Sequence, residues 1–127
     1  MLTPQGEEKM EYRYLGNTGL RVSVLAFGNW DWANSTPLVK KSLEAGINFF
    51  DTAEQYFYGK AEEALGIALK ESGVKREDIV VCTKLNRQGS RLNLGYLSRK
   101  HIIEGIRNSL KKLQLDYVDL CLCHRAD

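Results

Sequence analysis

The feature that most constrains this 127-residue chain is a repeated handover from a helix-periodic segment to a short apolar run, which occurs three times. Residues 37–45 place Leu38, Ser42 and Ala45 on one helical face. Pro37 suits a first turn, and Gly46 offers a left-handed stop before the run 47–50. Residues 60–71 repeat the pattern with Leu65, Ala68 and Leu69, stop at Gly73, and lead to the β-branched run 78–83. Ser98 stands as N-cap to the longest stripe, Ile102, Ile103, Ile106, Leu110 and Leu113, which precedes the run 117–123. An earlier run, 24–27, is closed by Gly28 and reads as a strand buried on both faces. Short apolar strands joined by crossovers of helical length pair in parallel, so the spacing predicts an α/β fold with about four parallel strands and three helices.

Ahead of this repeat, residues 11–15 and 20–24 alternate in character around Gly16-Asn17-Thr18-Gly19, the signature of a β-hairpin. Residues 1–10 form a polar leader, and residues 11–127 form a single domain. Two architectures satisfy four parallel strands: a small doubly wound sheet, or part of an eight-stranded barrel. Gly28-Asn29-Trp30 does not fit the glycine fingerprint that follows the first strand of a dinucleotide-binding sheet, which removes the main support for the doubly wound alternative.

Composition excludes several function classes. A formal charge of +2 with only paired basic residues gives no stripe for nucleic acid. No run approaches the roughly 20 apolar residues of a membrane span, and the start is too polar for a secretion signal, so a cytoplasmic protein is expected. The three cysteines, Cys82, Cys121 and Cys123, lie in apolar runs and read as small buried hydrophobes. Cys121-x-Cys123-His124 lacks the second ligand pair of a typical zinc site, so no metal is assigned.

Chemistry gathers at the strand ends. Asp51, Lys84 and His124 each follow an apolar run, and Tyr56 lies five residues beyond Asp51, close enough to fold back over the same mouth. A lysine cation beside a phenol eases its proton loss, an aspartate anchors the lysine, and a neutral histidine can orient a carbonyl oxygen. Such a set suits carbonyl reduction, with the hydride taken from a nicotinamide because no side chain can supply one. Each member also has a plainer role. Asp51 can cap the next turn, Lys84 can be a solvated strand end, Tyr58 competes with Tyr56 as the important aromatic, His124 can be a core histidine, and Trp30 and Trp32 can simply pack.

The stretches 12–23, 46–53, 59–62, 97–105, 113–119 and 124–127 together resemble the aldo-keto reductases, most closely the branch that includes the β-subunits of voltage-gated potassium channels and their microbial relatives. The resemblance implies a partial (β/α)8 TIM barrel, the N-terminal half, with its bottom closed by the hairpin. It also implies NADPH/NADP as cofactor and a small-molecule carbonyl (aldehyde or ketone) as substrate. It maps the catalytic set onto Asp51, Tyr56, Lys84 and His124, with Tyr56 as proton donor. Gly28, Asn29, Trp30 and Asp51 fall near the cofactor, and Trp30, Tyr56 and His124 line the substrate pocket.

This sequence departs from the family pattern in two places: a shorter segment between Gly28 and Gly46, and Ala126 where proline is expected. A full barrel takes about 250 residues, and the family's main cofactor contacts come from its second half. The resemblance therefore implies an incomplete cofactor site, inactivity in isolation, and completion by self-association or a complementing C-terminal half. The alternative is a non-catalytic truncated homologue or a regulatory protein like the channel β-subunits. Those subunits tend to carry asparagine where this chain has His124.

Overall fold

The computed structural model describes residues 9–30, 32–86, 92–93 and 95–126. The polar leader and most of the loop expected over 86–93 lie outside them. Strands β1 (Tyr12–Tyr14) and β2 (Arg21–Ser23) form the antiparallel hairpin. Strands β3 (Phe27–Gly28), β4 (Phe49–Asp51), β5 (Val80–Leu85) and β6 (Leu120–Cys123) form one parallel sheet in chain order. Helices α1 (Ser35–Glu44), α2 (Lys60–Ser72) and α3 (Arg99–Leu113) make the three crossovers. Among the described residues no helix is long and apolar enough to cross a membrane.

The predicted glycine stops hold. Gly46 and Gly73 follow α1 and α2 with φ of +87° and +71°, a region that costs other residues a steric clash. The core lies between the sheet and the helices, where Phe50 and Val81, in register on neighbouring strands, meet Val39, Leu65, Ala68, Leu69 and Leu113. The hairpin sits at the opposite end of the strands from their carboxyl termini. There the Tyr12 hydroxyl donates to Gly46 O at 2.6 Å, and Asn48 bonds Ser23 N and Arg21 O just before β4.

Four expectations are corrected. In α1 the buried face is Ser35 and Val39, while Leu38 and Ala45 are exposed. The helix begins at Ser35, whose hydroxyl donates to Asn29 Oδ1 at 2.8 Å, and that anchor turns the helix to the neighbouring face. In α3 the buried line is His101, Gly105, Ser109 and Leu113, with Ile103, Ile106 and Leu110 only half-buried and Ile102 exposed. The surface beneath α3 is polar, because Glu54 and Glu62 are both buried there, and small or hydrogen-bonding residues fit it better than isoleucines.

The run 24–27 is not a fully buried strand. Val24 and Leu25 lie in an exposed bend, and β3 is a two-residue edge. Cys82 is buried as expected, but Cys121 and Cys123 are exposed. They share β6 with half-exposed Leu122, and β6 is the last strand of the sheet, with no described helix following it.

Candidate active site

Parallel strands end together, so side chains at their carboxyl ends converge without any long-range search. Gly28, Asp51 and Cys82 lie in register across β3, β4 and β5. Backbone bonds extend the ladder past the strands: Asn29 N donates to Asp51 O, Thr52 N to Cys82 O, Glu54 N to Lys84 O, and His124 N to Leu85 O. The peptide planes that carry Asp51, Lys84 and His124 are therefore fixed relative to one another before any side-chain contact is made.

On this frame the Lys84 ammonium donates to Asp51 Oδ2 at 2.6 Å, to Thr52 O at 2.9 Å and to the Tyr56 hydroxyl at 3.3 Å. Burial alone would lower the Lys84 ammonium. The hydrogen bond and charge of Asp51, with Tyr56 behind them, outweigh burial and raise it above its ordinary value. The lysine is thus held as a cation. Tyr56 stands between two rings in edge-on contact, Trp30 at 5.0 Å and His124 at 5.5 Å between centroids.

His124 is held below its usual range by burial first, then by the Lys84 and Arg125 charges, and is neutral at pH 7. Its Nδ1 is buried and has no hydrogen-bond partner among the described residues. Burial also pushes the nearby Cys82 thiol up to about 12, with Asp51 adding to the effect, so it takes no part as a thiolate.

The structure brings Asp51, Tyr56, Lys84, His124 and Trp30 to one place. It does not bring Asn29, which is fully buried; its amide nitrogen donates to Ala61 O at 2.5 Å and its oxygen accepts from Ser35. That side chain braces α1 and α2. Gly28 is exposed, with open space where a Cβ would stand. Tyr56 lies against Lys84, whereas Tyr58 is 81 % exposed. Trp30 and Trp32 are 63 % and 39 % exposed, so neither is a core residue.

Sequence reasoning missed Phe57, whose ring meets Trp30 at 5.5 Å, and the Thr52 carbonyl that shares Lys84. Phe57 and Tyr58 both have φ in the left-handed region, +48° and +56°. Only the following Gly59 hinted at this turn.

Consecutive βα units with polar side chains collected at the carboxyl ends of the strands are the layout of a barrel enzyme. The sequence pattern of the Aldo/keto reductase family matches residues 25–127, and the chain belongs to that family. It is 48 % identical to a probable voltage-gated potassium channel subunit beta of Oryza sativa subsp. japonica and 46 % identical to one of Arabidopsis thaliana. Each match covers 93 % of this chain and 38 % of the relative, so the chain spans well under half the length of these curated relatives.

Among solved structures, a thermostable aldo-keto reductase, Tm1743, in complex with the inhibitor epalrestat, has a TM-score of 0.79 and 32 % identity, covering 93 % of this chain and 44 % of its own. The holo form of the aldo-keto reductase AKR11C1 from Bacillus halodurans has a TM-score of 0.76 and 36 % identity, covering 89 % of this chain and 40 % of its own. The hairpin, the four-stranded parallel sheet and its helices are therefore one part of a (β/α)8 barrel.

Proposed function

We propose that this chain supplies the proton-delivering part of an NADPH-dependent carbonyl reductase, with Tyr56 as the acid. The observation that carries the proposal is the Lys84 ammonium shared between Asp51 and the Tyr56 hydroxyl. A cation against a phenol stabilises the charge left on oxygen once the proton has gone, and a positioned acid is worth on the order of 100 to 10,000-fold in rate. Asp51 holds the lysine as a cation. His124, neutral, stands edge-on to the Tyr56 ring, where it can orient a carbonyl oxygen. Trp30 sets an apolar ring against Tyr56, and Phe57 packs on Trp30.

The donor set fits a nicotinamide. It holds a proton donor, a cation and an unpartnered buried His124 nitrogen, and no side chain able to give two electrons. When bound, the nicotinamide supplies the hydride. Asp51, Trp30 and the exposed backbone at Gly28 are the residues here that would border it. Because the chain spans 38 % of its curated relatives, we assign the remaining cofactor contacts to residues beyond this half, contributed by a complementing C-terminal half or by a second copy.

The test is NADPH consumption with an aldehyde substrate, using the chain alone and the chain mixed with the C-terminal half of a close relative. Consumption in the mixture that fails with Lys84→Met supports the proposal; equal rates for wild type and Lys84→Met overturn it. A second reading rests on the two plant relatives, both named as probable potassium channel β-subunits. In that reading the same barrel part serves a regulatory, channel-associated protein, and pull-down of a channel cytoplasmic domain without reductase activity would favour it.

A further inference from the structure

Resting on the reading of Tyr56 and Lys84 as a proton-delivery pair, we infer that Glu54 and His101 form a positioning clasp that sets the distance between them. Glu54 lies two residues before Tyr56 and is buried. It grips the end of β5 twice, on both sides of Leu85. Its backbone N donates to Lys84 O at 3.1 Å, and its carboxylate Oε1 accepts from Asn86 N at 2.8 Å. Asn86 has φ of +126°, a strained turn for a non-glycine residue, and the Glu54 carboxylate holds it.

The same oxygen lies 2.7 Å from Nε2 of His101, which is buried in the first turn of α3, where Ser98 Oγ accepts from its backbone N. Helix α3 comes this close because residue 105 is glycine. A Cβ there would lie 3.1 Å from Leu85 Cδ2 and 3.3 Å from Glu54 Oε2.

One carboxylate therefore joins the loop carrying Tyr56, the strand carrying Lys84, and the helix that leads to β6 and His124. The Lys84–Tyr56 contact, at 3.3 Å, is the longest of the lysine's three bonds and so depends most on this frame. Glu54 touches none of the atoms assigned to the reaction. It acts through the placement of Tyr56.

The experiment is carbon-13 NMR of the full chain labelled at tyrosine Cζ, with the Tyr56 resonance identified by its loss in Tyr56→Phe. Lys84→Met defines the resonance position without the ammonium contact. The expected result is that Glu54→Ala moves the Tyr56 resonance to that position while the Tyr12 resonance, at the far end of the sheet, stays put. Glu54→Gln, which keeps an oxygen for Asn86 N, should stay near wild type.

A folded Glu54→Ala chain with an unmoved Tyr56 resonance overturns the inference. If Glu54→Ala fails to fold, His101→Leu removes the other half of the clasp, and an unmoved resonance there overturns it equally. In a preparation that reduces a carbonyl, Glu54→Ala should lower kcat by about 100-fold with KM within about twofold, the mark of a misplaced acid. The resonance is read without turnover, so a failed reductase assay tells against the reaction and leaves the clasp to be judged by its own result.

Discussion

A double-mutant cycle on Asp51 and Lys84 tests the electrostatic heart of the site. Lys84→Met removes three acceptor contacts: Asp51 Oδ2 at 2.6 Å, Thr52 O at 2.9 Å and the Tyr56 hydroxyl at 3.3 Å. The Lys84 and Asp51 side chains are 14 % and 29 % exposed, so the pair is neither a surface bridge, worth about 0–1 kcal/mol, nor fully buried, where loss of one partner costs about 3–5 kcal/mol. A hydrogen bond to a charged group is worth about 1.5–3 kcal/mol. Discounted for partial exposure, Lys84→Met should cost about 2 kcal/mol at pH 7, and its coupling to Asp51→Asn should be about 1 kcal/mol or more.

The pH dependence has a definite sign. Lys84 is raised in the folded chain, so its contribution is fully present below the unfolded lysine value of about 10.4 and is lost as pH rises through the folded value. Urea unfolding followed by far-UV circular dichroism, at pH 7 and along an alkaline series, measures both quantities. Additive effects at pH 7, within about 0.3 kcal/mol, or a coupling that grows as pH rises, would refute the reasoning.

Other parts of the fold make independent predictions. Glu62 is raised by burial, despite the Thr83 hydroxyl donating to it at 2.6 Å, so the native state holds its proton more tightly than the unfolded chain. Its penalty grows as pH rises from the ordinary carboxylate range through the folded value, so Glu62→Gln should stabilise the chain at pH 8 more than at pH 4, read by denaturant midpoints. Gly66→Ala would set a Cβ 2.4 Å from Leu113 O and force α2 and α3 apart, at a cost of about 3 kcal/mol by urea unfolding; a neutral effect would contradict the close approach. Ser98→Ala should remove the N-cap bond to His101 N and cost about 1 kcal/mol in the same assay. Alkylation followed by mass spectrometry should modify Cys121 and Cys123 in the folded chain and spare buried Cys82 until it unfolds.

How much of this was legible beforehand depended on what signalled each element. The β-α repeat with its glycine stops was written in local chemistry, as was the Ser98 cap, so a parallel sheet with Asp51, Lys84 and His124 at its strand ends could be read directly. The choice of a barrel over a doubly wound sheet rested on the absent glycine fingerprint and the family resemblance. Helix faces were less legible. In α3 the isoleucine stripe pointed to one side, but the buried line is His101, Gly105 and Ser109 because it covers the buried carboxylates Glu54 and Glu62.

Those carboxylates carried no signal of burial in the sequence. The partners of the Asn29 side chain were hidden for a related reason. Its place after β3 put it near the mouth, while its hydrogen bonds to Ala61 and Ser35 fold it into the joint between α1 and α2. The cysteines of β6 looked buried because their run is apolar, but among the described residues β6 has a neighbouring strand on one side only.

The central claim is that Tyr56, served by Lys84, delivers the proton. Its most direct test is the steady-state rate of NADPH-dependent aldehyde reduction by wild type and Tyr56→Phe, each completed with the same C-terminal half and matched in cofactor affinity. The account predicts a loss of at least about 100-fold in kcat for Tyr56→Phe, with NADPH binding retained; a rate within about twofold of wild type would contradict it.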